Sequence, residues 1–351
     1  MRLILGIVSL LLLSGVLLLA LFPAPIDPVA WEPDPDPGLT GHFTPNDRLA
    51  NVERLLVGVG VGPEDVACGP GGVRYTGFHD GRIVRFGQDG SFSELANTGG
   101  RPLGMQLDGA GRLIVADALR GLLAVSPDGA IEVLTDAVNG QKILFVDDLD
   151  IAADGTIWFS DASARYDYHE NIYDFLEGRP SGRLLSYNPS NGETRVHMTD
   201  LFFANGVALG PDDEFVLVNE TGRGRINRLW LKGKKTGQKE LFISSLPGTP
   251  DNLSFNGRDT FWVALPALRV GVDRMAGQPG LRKLLSRLPL ETLASDVPRY
   301  SFVVGLGLEG NVKYNLQDTA AGFNNITSAN ECEGSLFLGS LSMPAVARYP
   351  L

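Results

Sequence analysis

From about residue 41 onward, short apolar runs recur along the chain, each bounded by turn residues. Ile83-Val84, Leu113-Ile114-Val115, Ile157-Trp158-Phe159, Phe215-Val216-Leu217-Val218, Phe261-Trp262-Val263 and Leu336-Phe337-Leu338 are rich in β-branched and aromatic residues. Such residues fit the pleated surface of a strand. Asp80-Gly81, Asp108-Gly109, Asp128-Gly129, Asp154-Gly155, Asn191-Gly192 and Asn256-Gly257 stand between the runs. Asp-Gly and Asn-Gly supply the positive φ of a tight hairpin turn, so the pattern predicts successive antiparallel hairpins.

The hairpins fall into a larger period. An oxygen-rich entry leads to an apolar strand, a Gly-containing turn, a strand ending in Asp, Glu or Ser, a basic strand and a further turn. The unit recurs about every 40–60 residues, in roughly six copies, and an all-strand repeat of that length predicts a β-propeller. The last copy, residues 326–351, holds only three strands. Arg54-Leu55-Leu56-Val57 has no partner in its own repeat and is expected to close the ring as the outer strand of the last blade. Closure removes the exposed sheet edges an open array would carry.

Three segments break the period. Residues 3–22 form an unbroken apolar run behind Met1-Arg2. As a helix it would be about 30 Å long, the thickness of a bilayer core. The following Phe22-Pro23-Ala24-Pro25 is a poor cleavage site, so the run reads as an uncleaved single-pass anchor rather than a removed signal peptide. Arg2 keeps the short amino side cytoplasmic and places the body on the periplasmic or extracellular side. Residues 23–40, with Glu32-Pro33-Asp34-Pro35-Asp36-Pro37, read as a stiff stalk that does not pack. Residues 271–298 carry apolar positions at helical spacing and read as a helical insertion in blade 5, capping the site, lying on the membrane surface or packed against the propeller side. The domain division is therefore anchor 1–22, stalk 23–40 and propeller 41–351.

Composition narrows the partners. In a chain of 351 residues the apolar fraction of 44% is that of a globular protein, and the formal net charge of −11 excludes a duplex nucleic acid as partner. The two cysteines, Cys68 and Cys332, have no zinc spacing. They sit at matching points of the first and last repeats, which need not approach closely enough for a disulfide.

The entries carry the candidate chemistry. Gly62-Pro63-Glu64-Asp65, Phe145-Val146-Asp147-Asp148, Phe203-Ala204-Asn205-Gly206 and Pro250-Asp251-Asn252 each precede an apolar run. In a propeller these positions open the inner strands and meet at one mouth. Glu64, Asp147, Asn205, Asp251 and Asn252 are thus expected to form one oxygen cage for Ca2+. A calcium ion polarises a carbonyl and binds water, and a neighbouring carboxylate serves as base; Asp251 is the first candidate and Asp148 the second. An ion that only pins the blades is the structural alternative. No G-x-S-x-G elbow is present. The four histidines lie in unrelated contexts, with His79 in a hairpin turn. Gly305-Leu306-Gly307-Leu308-Glu309-Gly310 matches a nucleotide fingerprint only by letter, since it lies between two strands. Asn219, Asn252 and Asn325 head N-x-[ST] triplets.

Several stretches resemble the strictosidine synthase-like family, in the branch containing adipocyte plasma membrane-associated protein. They are Phe175-Leu176-Glu177-Gly178-Arg179-Pro180-Ser181-Gly182-Arg183, Ala204-Asn205-Gly206-Val207-Ala208-Leu209, Leu246-Pro247-Gly248-Thr249-Pro250-Asp251-Asn252 and Leu336-Phe337-Leu338-Gly339-Ser340-Leu341. The resemblance implies a six-bladed propeller, an amino-terminal membrane anchor and kinship with calcium-dependent paraoxonases and gluconolactonases. It implies metal ligands at Glu64, Asn205, Asp251 and Asn252. Asp147 stands where that pattern has Asn, which adds charge to the cage. Leu103 stands where paraoxonases place a histidine of their base dyad, so a histidine-assisted step is not expected. Thr327 stands where strictosidine synthase has its glutamate, which disfavours amine–aldehyde condensation. The expected function is calcium-dependent hydrolysis of lactones or aryl esters; the alternatives are a non-catalytic ligand- or protein-binding propeller and a condensing enzyme of the strictosidine type.

Overall fold

The structure is a computed structural model and describes residues 14–15, 23–294 and 299–351. Among them, six four-stranded antiparallel sheets form the blades of a propeller. The inner strands are Ala67–Cys68, Pro102–Leu107, Val146–Ile151, Ala204–Leu209, Leu253–Phe255 and Ile326–Cys332. Each lies beside the next, and the sixth lies beside the first.

The apolar runs are continuous because each blade is covered on both faces, and strand periodicity sorts them between two interfaces. Phe215 and Leu217 pack toward blade 5 with Phe261, Val263 and Phe302. Val216 and Val218, from the same run, pack toward blade 3 with Trp158, Leu184 and Met198.

The acids that end the second strands also have a structural task. Asp161 accepts hydrogen bonds from Phe145 N (3.1 Å) and from Arg183 Nε (2.9 Å). Glu220 accepts from Phe202 N (3.1 Å) and Arg225 Nε (2.7 Å). Asp117 accepts from Arg101 N (3.0 Å). Each acid thereby ties the entry loop to its own blade, and in blades 3 and 4 it also neutralises the first basic residue of the third strand.

Ring closure follows the expected scheme. Glu53–Leu55 pairs antiparallel with Val346–Pro350, placing Arg54 opposite Ala347. Cys68 and Cys332 form a disulfide across the same seam, with Cα atoms 6.1 Å apart. The inner strands of blades 1 and 6 are neighbours, so matching points do meet there, a proximity that sequence spacing alone does not reveal.

Residues 23–40 correct the expectation of a free stalk. Ile26 is buried against Tyr166 and Leu176. Val29 N donates to Glu177 O (2.9 Å), and Trp31 packs edge-on against Phe202 at 5.3 Å. The Pro and Asp residues keep the backbone extended, and arginines take its free carbonyls: Arg223 binds Glu32 O, Arg269 binds Asp34 O and Arg282 binds Val29 O. The segment is a strap across the propeller's entry face.

The strap lies on helices. α1 (Asn171–Glu177) follows blade 3's second strand, while α2 (Val270–Asp273), α3 (Pro279–Leu285) and α4 (Leu290–Ala294) lie between the second and third strands of blade 5. Arg282 of α3 is fully buried and joins strap, α1 and the α2–α3 loop through Val29 O, Leu176 O, Glu177 O, Met275 O and Ala276 O. Residues 3–22 lie outside the described residues apart from positions 14 and 15. No described helix is long and apolar enough to cross a membrane.

Candidate cation site at the tunnel mouth

Local geometry puts the donors at one end of the central tunnel. Asp147 and Asn205 are the second residues of their inner strands, and Asp251 and Asn252 immediately precede Leu253–Phe255. The inner strands of blades 2, 3, 4 and 6 each carry a register shift at the same phase: Pro102/Met105, Val146/Leu149, Ala204/Val207 and Ile326/Ala329. A bulge sets two consecutive residues opposite one partner and re-aims their side chains. In blades 3 and 4 those pairs are Asp147-Asp148 and Asn205-Gly206.

The strands also approach closely. A Cβ on Gly206 would stand 2.4 Å from Asp251 O and 2.5 Å from Leu253 N, so only glycine admits blade 5 there. Gly206 N instead donates to Asp251 O at 3.1 Å. Asn219 Nδ2 donates to the same oxygen, and Thr221 Oγ1 donates to Pro250 O (2.7 Å). On the other side Thr327 Oγ1 donates to Glu64 O (2.7 Å), and Asn252 N donates to Thr327 O (2.9 Å). Asn219, Thr221 and Thr327 thus hold the backbones that carry the donors.

Electrostatics show that the carboxyls share one space. Burial pushes Asp147 well above the usual carboxylate range, and the charges of Asp251, Glu64 and Asp148 add to that shift. Burial likewise pushes Asp251 well up, aided by Glu64 and eased by a hydrogen bond with Asn205. Glu64 is raised by burial and held back by Arg101, whose Nη2 lies 2.5 Å from Glu64 Oε2. Two buried carboxylates, Glu64 and Asp147, and the partly buried Asp251 therefore face one guanidinium. Like charges gathered out of water are costly unless a cation offsets them.

The uncharged donors fit the same reading. Asn205 Oδ1 and both polar side-chain atoms of Asn252 have no hydrogen-bond partner among the described residues, although both side chains are buried. Unpartnered buried carboxamides are rare in native proteins. Among the described residues no three His, Cys, Asp or Glu form a metal site by themselves. A cation held here would need the two asparagines as well, and carboxylate plus carboxamide oxygens are a hard-cation donor set.

Asp148, expected as the second candidate base, has both carboxylate oxygens engaged by backbone amides. Its Oδ2 accepts from Val207 N (2.9 Å) and Leu253 N (3.4 Å), and its Oδ1 accepts from Leu149 N (2.9 Å). Asp65 does likewise with Met105 N (3.0 Å) and Asn330 Nδ2 (2.6 Å). These acids latch neighbouring inner strands below the cage. A cavity of about 210 Å³ lies there, lined by Asp65, Asp148, Asn252, Ser328 and Asn330 among others.

Above the cage the mouth is aromatic on the side of blades 3 and 4. Phe145 packs edge-on against Tyr168 (5.7 Å) and Phe203 (5.5 Å), and Phe175 of α1 lies 4.5 Å from Phe203. Leu103 belongs to the same apolar cluster. Tyr168 leans over Arg101 at 5.9 Å, and burial raises its phenol pKa, with Glu64 and Asp147 adding to the shift. Arg101 and Tyr168 were not marked by the sequence pattern; the one available signal was a basic residue directly before Pro102-Leu103. His79 sits at the rim over Gly62, in its expected hairpin turn. Gly305 to Gly310 spans a strand end and a hairpin turn, again as expected. Asn219, Asn252 and Asn325 are all buried, so the folded chain presents none of its three triplets.

Known proteins share this architecture. The family model for strictosidine synthase matches residues 147–234, and that for the strictosidine synthase-like N-terminal region matches residues 41–86. Adipocyte plasma membrane-associated protein of Danio rerio is 35% identical, covering 99% of this chain and 89% of its own. Strictosidine synthase-like 6 of Arabidopsis thaliana is 36% identical, covering 87% and 84%. Among solved structures, a gluconolactonase from Xanthomonas campestris superposes with a TM-score of 0.64 at 18% identity, covering 94% of this chain and 99% of its own. A calcium-binding protein, regucalcin, from Agrobacterium tumefaciens superposes with a TM-score of 0.59 at 13% identity, covering 84% and 92%.

Proposed function

The chain belongs to the strictosidine synthase-like family, and from that premise we propose that it is a calcium-dependent hydrolase of lactones or aryl esters. The observation that carries this reading is the unpartnered Oδ1 of Asn205 and the unpartnered carboxamide of Asn252, beside the carboxylates of Glu64, Asp147 and Asp251 and a single guanidinium. Glu64, Asp147, Asn205, Asp251 and Asn252 would hold the ion. Bound there, calcium supplies a Lewis acid for the substrate carbonyl and for water.

The chain's own residues divide the remaining work. Asp251 is the carboxylate best placed to take a proton, because Glu64 is paired with Arg101 and Asp148 with backbone amides. Arg101 fixes the orientation of Glu64. Tyr168 keeps its phenolic proton at neutral pH and can donate it as a hydrogen bond at the mouth. Phe145, Phe203 and Phe175 form an apolar wall that favours an aryl or alkyl substituent.

The amino-terminal run of residues 3–22 fits a single-pass anchor, with the propeller on the periplasmic or extracellular side. The name of the relative from Danio rerio, a plasma membrane-associated protein, accords with that placement.

The test is an aryl-ester and lactone panel on the full chain, with calcium and then with chelator, beside calcium titration calorimetry. Chelator and Asp251→Ala are each expected to abolish turnover. Asp147→Asn is expected to weaken calcium binding while leaving the fold intact. Turnover indifferent to chelator would refute the mechanism. Calcium binding without turnover of any ester or lactone would favour a ligand-binding propeller instead.

A further inference from the structure

We propose that the tunnel mouth faces the bilayer, with the rim of the entry face lying on the lipid surface. The inference rests on the reading of residues 3–22 as an anchor and adds an orientation that the anchor alone does not dictate. A propeller on a free stalk could turn either face to the membrane; this one has no free stalk.

The first argument is where the apolar run joins the body. Pro23 and Pro25 line a groove with Tyr173, Leu288 and Leu290, so the chain enters through the layer formed by α1, α3 and α4. That layer stands over the cation site. Phe175 of α1 packs on Phe203, and Trp31 of the strap packs on Phe202, just ahead of Asn205. From Val29 onward the strap is pinned by Arg282, Arg223 and Arg269. A body held this way by the strap that follows residue 22 presents its entry face to whatever surface holds residues 3–22.

The second argument is the rim itself. Residues 56–62 cross the entry face from the outer strand of blade 6 to blade 1, and residues 341–345 turn between the two middle strands of blade 6 at the same end. Val61 and Leu341 project there with 48% and 42% of their surface exposed, and Leu281 of α3 is 41% exposed. Arg274 and Lys283 are exposed on the helical layer beside Leu281, while the exposed acids of this face, Asp27, Glu32 and Asp36, lie on the strap. Apolar side chains flanked by basic ones are the composition of a surface lying at the lipid headgroups. The opposite face is built of polar turns such as Asp108-Gly109-Ala110 and Asp154-Gly155. If the hydrolase reading holds, substrates would reach the aromatic wall from the bilayer and would be lipophilic esters or lactones.

The experiment uses the full chain in phosphatidylcholine–phosphatidylglycerol liposomes. The native cysteines are bridged, so Val61→Cys, Leu281→Cys, Leu341→Cys and Ala110→Cys each offer one site for a nitroxide. Accessibility to oxygen relative to a water-soluble nickel chelate is expected to be several-fold higher at positions 61, 281 and 341 than at 110. Equal ratios at all four positions in protein that floats with the liposomes would overturn the orientation while leaving the anchor intact. Protein that does not float would overturn both. None of these readouts depends on calcium or turnover, so failure of the hydrolase reading leaves them unchanged.

Discussion

Replacing Gly206 by alanine tests whether the donors converge through contact between blades 4 and 5. The added Cβ would sit 2.4 Å from Asp251 O, 2.5 Å from Leu253 N and 2.5 Å from Asn219 Nδ2, whereas ordinary contacts begin at 3.4 Å. Two of these atoms are backbone, so the strands must part by about 1 Å, an overpacking strain costing about 1–3 kcal/mol. The same movement carries Asp251 away from its hydrogen bond with Asn205, which links two of the proposed ligands. A cage opened by that amount is expected to lose about 1.4 kcal/mol or more of calcium binding, a tenfold weaker dissociation constant. Gly210→Ala is the control: it lies just beyond the far end of the same inner strand, and the nearest atoms to its Cβ would be those of the Phe215 ring, the first at 2.4 Å. It is expected to lower stability to a similar extent while leaving calcium affinity unchanged. Calorimetric titration with calcium, run beside urea unfolding, reads both terms. Equal calcium affinity in wild type and Gly206→Ala would refute convergence of the ligands across this contact.

Two further perturbations test the frame around the site. The Cys68–Cys332 disulfide spans 264 positions, and the loop-entropy relation gives about 5–6 kcal/mol as its upper contribution. Urea unfolding of the Cys68→Ala/Cys332→Ala double variant is expected to show a loss of about 2–5 kcal/mol, and a loss under about 1 kcal/mol would contradict a role in closing the ring. Asp174 in α1 is pushed up from 3.8 to about 7, chiefly by burial. Between those values the folded chain keeps a proton that the unfolded chain has released, so stability falls as pH rises through the window, by about 4 kcal/mol in full. Asp174→Asn is expected to flatten that decline in melting temperature, and an unaltered pH profile would exclude Asp174 as its source.

The blade repeat is legible in the sequence because each blade is buried on both faces and each turn needs a residue tolerant of positive φ. Both demands leave a local mark, as in Phe215-Val216-Leu217-Val218 and in Asp154-Gly155. The closing strand was legible as well, since Arg54-Leu55 had no partner within its own repeat. What escaped was contact between distant elements. Pro and Asp in residues 23–40 do describe an extended backbone, but nothing local reveals that Arg282, about 250 residues later, takes a carbonyl from it. Cys68 and Cys332 share a phase, and only the ring makes their strands neighbours. Arg101 and Asn219 act on donors belonging to other repeats: Arg101 stands in the blade 2 entry, which carries no oxygen donor of its own, and Asn219 lies in a second strand, so neither is marked by an oxygen-rich entry.

The bulge shared by blades 2, 3, 4 and 6 explains why adjacent acids have different tasks. In a regular strand, consecutive side chains point to opposite faces of the sheet. At the register shift between Val146 and Leu149, Asp147 turns to the cage, while Asp148 reaches the amides of Val207 and Leu253 in the next two blades. Glu64 and Asp65 divide in the same way at the entry of blade 1. In blades 2 and 6 the corresponding pairs are Leu103-Gly104 and Thr327-Ser328, which bring no carboxylate to the mouth. The charged donors therefore come from blades 1, 3 and 5, with Asn205 completing the arc from blade 4. Leu103 joins Phe145 in the apolar cluster, and Thr327 spends its hydroxyl on Glu64 O. In the proposed hydrolase the cation donors and the apolar wall thus come from different blades at the same structural position, so substitution at Leu103 is expected to alter which ester fits without removing an oxygen from the proposed cage.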